Sequence, residues 1–268
     1  MAEPSLVSAP ATIGSPAPDS RIVAAGRGTA WWMEAWRLFT PNAGTWLLIA
    51  LVCCGIVLAA GALGMVPLIG QLVGLAAEIL WPVLVGGLML GCRAIDRGNP
   101  LLVAHLFAGF RQRTLALVLA GAIYTGVLVL ISIAIGGMMI AIFGVSILSV
   151  VTGATDPSQM GIAYGSAVVA VLLVFLFFLL LLLPLIMAIW FAPALIMLGG
   201  VAPVEAMKAS FIACARNMVP FLVYGAIGIV LAIVASIPFG LGWLVLGPVM
   251  IASLYASYCD IFEDRDGA

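Results

Sequence analysis

Ala167-Val-Val-Ala-Val-Leu-Leu-Val-Phe-Leu-Phe-Phe-Leu-Leu-Leu-Leu-Leu-Pro184-Leu-Ile186 contains no charge and no hydrogen-bonding side chain. A helix needs about 20 apolar residues to cross a hydrocarbon core, so this segment alone reads as a membrane span. It lies within a longer charge-free stretch, Pro157 to Val204. Three others run from Leu38 to Ala77, from Thr114 to Thr155 and from Asn217 to Cys259. Each is long enough to hold more than one crossing.

The rest of the chain agrees. Charged residues make up 8% of 268 and hydrophobic residues 65%, against roughly 25% charged in a soluble domain. Mean hydropathy is +1.30. Polar side chains cannot cover such a chain in water, so the fold class is all-α: a polytopic transmembrane helical bundle. A net charge of -1 offers no basic footprint for nucleic acid.

Turn residues punctuate the spans. Trp46–Gly64 and Leu72–Gly91 flank the turn at 65–71, which carries Pro67 and Gly70; Val219–Ile237 and Gly242–Cys259 flank Pro238-Phe-Gly240-Leu. The runs Leu115–Thr152 and Ile162–Gly200, separated around Asp156, are each longer than one crossing. The 38 residues of the first would make a helix of about 57 Å, against a core of about 30 Å. Six spans follow, or eight if these runs reverse at Gly136-Gly137 and near Pro184.

All ten Lys and Arg fall in the N-terminal tail, the 92–114 and 200–217 segments and the C-terminal tail; the turns at 65–71, 153–161 and 238–241 have none. Basic residues stay cytoplasmic, so both termini are expected inside a bacterial inner membrane, with Asp156 outside. Residues 1–28, rich in Pro, Ser and Ala, lack a signal peptide and read as a disordered cytoplasmic tail. The transmembrane domain is 29–262, and 263–268 form an acidic cytoplasmic tail.

Pro82-Val-Leu-Val-Gly86, Pro184-Leu-Ile-Met-Ala188 and Pro248-Val-Met-Ile-Ala252 repeat one pattern, and Pro100–Arg113 shares its spacing with Pro203–Arg216. These suggest three parallel units, about 29–98, 99–200 and 201–262, each an interfacial helix followed by a transmembrane hairpin. The interfacial segments would set Trp31, Trp32, Trp36 and Phe39, and later Phe110 and Phe211, among headgroups. Helices kinked at Pro82, Pro184 and Pro248 would then converge on a pseudo-threefold axis, packed through Gly86, Ala188 and Ala252.

Glu78 is the one ionisable carboxylate inside a span. Such groups are costly in hydrocarbon and invite a proton or cation site, so Glu78 is a candidate intramembrane ionisable site expected to face the bundle interior, with a protonated or water-bridged glutamate near the outer face as the plainer reading. Arg93, Arg97, Arg111, Arg113, Lys208 and Arg216 are candidate lipid-headgroup contacts, with topology-setting charge as the plainer reading. His105, the sole histidine, has no Cys or carboxylate cluster beside it, and the five cysteines form no Cys-x-x-Cys pair, so no metal and no cofactor is expected. Ser253, Tyr255, Ser257 and Tyr258 form a polar seam suited to helix packing. No catalytic motif is visible.

Cys92-Arg-Ala-Ile-Asp-Arg-Gly98, His105-Leu-Phe-Ala-Gly-Phe110, Pro203-Val-Glu-Ala-Met-Lys-Ala-Ser-Phe211, Asn217-Met-Val-Pro-Phe-Leu-Val-Tyr224 and Ser253-Leu-Tyr-Ala-Ser-Tyr258 resemble an uncharacterised family of bacterial inner-membrane proteins over Trp31–Phe262. More distantly, the spacing of Pro203, Ala206, Ser210 and Asn217 is similar to membrane domains joined to glycerophosphodiester phosphodiesterases. The resemblance implies a multi-span location and carries over no catalytic residue. The leading expectation is a non-enzymatic protein that organises membrane lipids, protein partners or further copies of itself. The alternatives are a small-solute or proton-linked transporter, and a lipid-processing enzyme.

Overall fold

The computed structural model describes residues 15–151 and 160–263, whose regular elements are helices, with no named strand among them. The helices are α1 (Arg27–Phe39), α2 (Ala43–Gly64), α3 (Ile69–Asp96), α4 (Thr114–Val151), α5 (Met160–Trp190), α6 (Ala192–Gly199), α7 (Pro203–Arg216), α8 (Met218–Ser236) and α9 (Trp243–Phe262); Val103–Phe110 is 3-10 helical. Six helical segments are long and apolar enough to cross a membrane. Helix α4 runs unbroken through Gly136-Gly137 and Pro184 lies inside α5. Neither expected reversal point turns the chain, so six spans stand and eight do not. The turn around Asp156 lies outside the described residues.

The chain divides into two compact units. The first comprises residues 15–122 with 187–263, and the second Ile123–Ile186. The second consists of the distal lengths of α4 and α5, whose Leu130, Ile133, Ile140, Leu173 and Leu180 are exposed, a surface suited to acyl chains.

In the first unit, close backbone approach fixes both hairpins. A Cβ on Gly70 would stand 2.3 Å from the carbonyl oxygen of Gly64, and one on Gly242 would stand 2.5 Å from Cα of Ala235. Such distances exclude any side chain. The buried residues of helix α3 run from Pro82 onward, and include Val83, Val85, Gly86, Gly87, Leu88, Met89, Gly91 and Cys92. There the 3-10 segment and the start of α4 lie against it, with a virtual Cβ on Gly109 2.1 Å from the Val83 carbonyl and one on Gly121 2.1 Å from that of Ile79.

Pro82 and Pro248 are buried and Pro184 is exposed; where Gly86 is expected to pack on the other kinked helices, the atoms nearest a Cβ there belong to Leu117 and Met197. The small-residue face of α3 is packed by the 3-10 segment, the start of α4 and α6. The segments equated by the repeat also differ, since α1 and α7 are α-helices and the middle one is 3-10.

The apolar run 162–200 is interrupted at Phe191. Pro193, near the start of α6, has no N–H to continue the α5 ladder. The hydroxyl of Ser210 on α7 bridges the gap, accepting from the Phe191 N–H at 2.9 Å and donating to the Met187 carbonyl at 2.6 Å. Ser210 is fully buried.

The N-terminal tail also departs from expectation. Ser15 pairs with Val201 in an isolated bridge, Arg21 N–H donates to the Ile261 carbonyl at 2.9 Å, and Val23 N–H donates to Asn217 Oδ1 at 2.9 Å. Residues 15–26 are therefore a strap, whose backbone groups find partners that a composition argument does not see. Residues 1–14 and 264–268 lie outside the described part.

Candidate functional site at the basic end of the bundle

Helix α1 owes its place to an i, i+4, i+8 face, Trp31, Ala35 and Phe39, which is buried. Trp31 and Trp32 are turned inward, not toward headgroups. Trp32 stacks on Tyr224 with centroids 4.6 Å apart and donates through Nε1 to the Tyr224 carbonyl at 3.1 Å. Trp36 alone of the three is half exposed, stacked on Phe39.

The last turn of α9 supplies the hub. Asp260 Oδ2 accepts from Arg27 Nε at 2.6 Å and from Trp31 Nε1 at 2.9 Å. Arg27 also reaches Glu34 at 2.8 Å, and Arg21 donates to the carbonyls of Asp260 and Glu263. Arg93 on α3 pairs with Glu263, and Tyr255 donates its hydroxyl to Asp96 at 3.1 Å. These bonds tie α1, α3, α9 and the strap together at one end of the bundle, which carries the basic residues. Partly buried ion pairs of this kind hold geometry well because removing one partner strands a charge.

The expected headgroup residues divide into two sets. Arg93 is ion-paired and Arg113 packs its guanidinium against Gly200, whose φ of +73° closes α6. A cation there meets the carbonyl end of the α6 dipole. Arg97, Arg111, Lys208 and Arg216 are exposed; Lys208 pairs with Glu205 one turn away at 2.8 Å, and Arg216 reaches Ser20. Arg37, also exposed, faces outward from α1. Phe107, Phe110 and Phe211 are exposed near them.

Glu78 is not in this site and does not face the interior. Its side chain is exposed, as are Gln71, Leu72, Gly74, Leu75, Ala76 and Ala77 before it. The buried residues of α3 begin at Pro82, one turn beyond it.

His105 is half-buried and caps the 3-10 segment, its Nδ1 accepting from the Leu102 N–H at 3.0 Å; burial lowers its pKa. Burial likewise pushes the Cys214 thiol up to about 12, although the Ser210 hydroxyl acts the other way. Such a thiol is unreactive at neutral pH. Among the described residues, no group of three or more His, Cys, Asp or Glu is arranged to hold a metal ion.

The polar seam packs as its sequence suggests. Ser253, Tyr255, Ser257 and Tyr258 are at most 2% exposed, and the Ser253 and Tyr224 hydroxyls are 2.8 Å apart. Sequence reasoning missed Asp260, Glu34 and Glu263. One signal was available for Asp260, the first charge after the apolar stretch 217–259, at the depth where a span ends.

Over 243 residues the chain is 30% identical to a Burkholderia thailandensis protein described as a probable inner membrane protein, a match covering 87% of this chain and 82% of that one. No family model and no solved structure matches the chain, so the likeness to membrane domains of glycerophosphodiester phosphodiesterases rests on its motif alone. Six spanning helices and this relative together make the chain a multi-pass membrane protein that belongs to the same family as the Burkholderia thailandensis protein.

Proposed function

We propose that the protein is a non-enzymatic inner-membrane organiser, with both termini cytoplasmic, that gathers anionic lipid headgroups around its basic end and so presents a fixed surface to lipids and partners. The observation that carries this reading is the division of the basic residues. Arg27 and Arg93 are consumed by internal carboxylates, whereas Arg37, Arg97, Arg111 and Arg216 point outward beside exposed Trp36, Phe107, Phe110 and Phe211. Aromatic rings and cations at one level suit the headgroup layer. Each outward cation near an anionic surface contributes about 1 kcal/mol.

The test is lipid retention by the full chain purified from mixed phosphatidylglycerol and phosphatidylcholine. Anionic lipid should be enriched, and replacing Arg37, Arg97, Arg111 and Arg216 together by Gln should abolish the enrichment while leaving the fold intact. Equal retention of both lipids would sink the reading. A transporter would instead give solute or proton flux in liposomes that Glu78→Gln removes.

A further inference from the structure

The first unit reverses direction twice at the end away from its basic residues, at 65–68 between α2 and α3 and at 237–242 between α8 and α9. Helices α2 and α8 hold 22 and 19 residues. At 1.5 Å per residue these are about 33 and 29 Å long, so each reaches the far boundary of a hydrocarbon core of about 30 Å just as the chain turns. A turn at that level ordinarily meets headgroups and water. Neither of these carries a charged residue, and Met65, Leu68, Ile237, Phe239 and Leu241 are all exposed at their tips.

Their backbones set them apart from turns in water. Leu68 and Phe239 stand at φ +67° and +51°, a conformation that glycine adopts freely and a bulky side chain does not. In water a glycine at either position would relieve the strain and lose nothing. A leucine and a phenylalanine are favoured there only where an exposed apolar side chain has apolar surroundings. The donors of both turns are also met within the chain. Met65, Val66, Ile69 and Gly70 give their N–H groups to carbonyls of residues 62–67, and Ile69 closes a three-residue turn onto Pro67 at 2.8 Å. Ile237, Phe239, Gly240, Leu241 and Trp243 give theirs to carbonyls of residues 234–240. Trp243 Nε1 donates to the Ser236 hydroxyl at 3.2 Å, which donates in turn to the Ala232 carbonyl at 2.8 Å. Water would satisfy such donors wherever the chain left them, whereas hydrocarbon requires internal partners.

We propose that both turns lie among the acyl chains of the leaflet opposite the basic end, beneath its headgroups, where Leu68 and Phe239 anchor the first unit in lipid. Headgroups then hold one end of this unit and acyl chains the other. A solute would find no aqueous exit at either turn. The inference rests on the crossing of α2, α3, α8 and α9, and not on which lipids the outward cations gather.

The test attaches a bimane fluorophore to Leu68→Cys or Phe239→Cys in a full chain whose Cys53 and Cys54 are replaced by Ser, the other cysteines being buried. Each labelled protein is reconstituted in phosphatidylcholine vesicles with or without bromine on the upper acyl carbons. Iodide is supplied on both sides of the membrane, so the direction of insertion does not matter. Both labels should lose fluorescence to the brominated lipid and keep it in iodide. Quenching by iodide, alone or together with the lipid, places the turns in water or among headgroups and overturns the proposal. Quenching by neither places protein over them, whether a second copy or a partner, and overturns it equally. Both side chains are exposed, so melting should be unchanged, and a variant that fails to fold leaves the other turn to decide. Phosphatidylcholine carries no net charge, so this outcome is independent of the anionic-lipid retention that tests the outward cations, and either reading can fail alone.

Discussion

Asn217 grips the strap through its peptide backbone at Arg21: Nδ2 donates to the Arg21 carbonyl at 2.9 Å while Oδ1 accepts from Val23 N–H at 2.9 Å. The same Nδ2 also reaches the Ala213 carbonyl at 2.9 Å, and Asn217 is 1% exposed. A carboxamide is the one neutral side chain that donates and accepts at this spacing, so it completes a backbone pair as another strand would.

Asn217→Leu should therefore leave a buried N–H and carbonyl without partners, destabilising the folded chain by about 2–3 kcal/mol. Asn217→Asp keeps the acceptor and loses the donor, and its effect should fall between. Limited proteolysis near residues 15–26 reads the outcome directly, because a strap detached from Asn217 becomes cleavable. Unchanged protection in Asn217→Leu would show that the other strap contacts suffice.

Ser210 makes a similar repair at the helix interruption. Ser210→Ala removes both bonds and strands the Phe191 N–H in a fully buried site, an expected cost of about 1–3 kcal/mol. The melting temperature in detergent should fall accordingly. Because Cys214 Sγ lies 3.7 Å from the same Met187 carbonyl, the double variant Ser210→Ala with Cys214→Ala should lose more than Ser210→Ala alone.

Glycines divide sharply between those the packing requires and those it ignores. A methyl group at Gly109 or Gly121 would strike a carbonyl oxygen at 2.1 Å, whereas a Cβ at Gly126 meets nothing within 4 Å. Gly109→Ala and Gly121→Ala should push α3 from its neighbours and cost about 3 kcal/mol or more. Gly126→Ala should be neutral or stabilising by up to about 1 kcal/mol through helix propensity. Yield and thermal melting of the three variants decide the matter.

Acid should loosen the 3-10 segment through His105. Its Nδ1 serves as an acceptor and burial lowers its pKa, so between the lower folded value and the ordinary value near 6.5 the unfolded chain binds more protons than the folded one. Stability is then full above about pH 6.5 and falls as pH drops through that value. Melting temperature followed from about pH 8 to about pH 5 should decline, and His105→Asn should flatten the part of the decline that this residue causes. A profile identical in wild type and variant would remove His105 from the account.

Six spans, their approximate limits and the two Pro/Gly turns were legible in the sequence, because the bilayer imposes a local rule: a segment without charges and of sufficient length crosses, and a charge ends it. The polar seam was legible for the same reason, since hydroxyls inside a span need a neighbouring helix. The direction each helix face takes was not. Trp31 and Trp32 read as interfacial rings and are core, while Glu78 reads as an inward carboxylate and is exposed. In a chain that is apolar on every side, composition cannot say which face meets protein and which meets lipid. Only tertiary structure brought Arg27 to Asp260, 233 residues away, and Asn217 to the strap, because these pairs depend on which helix ends share a layer. Local pattern fixes how often the chain crosses, and packing between distant segments fixes which polar groups find each other.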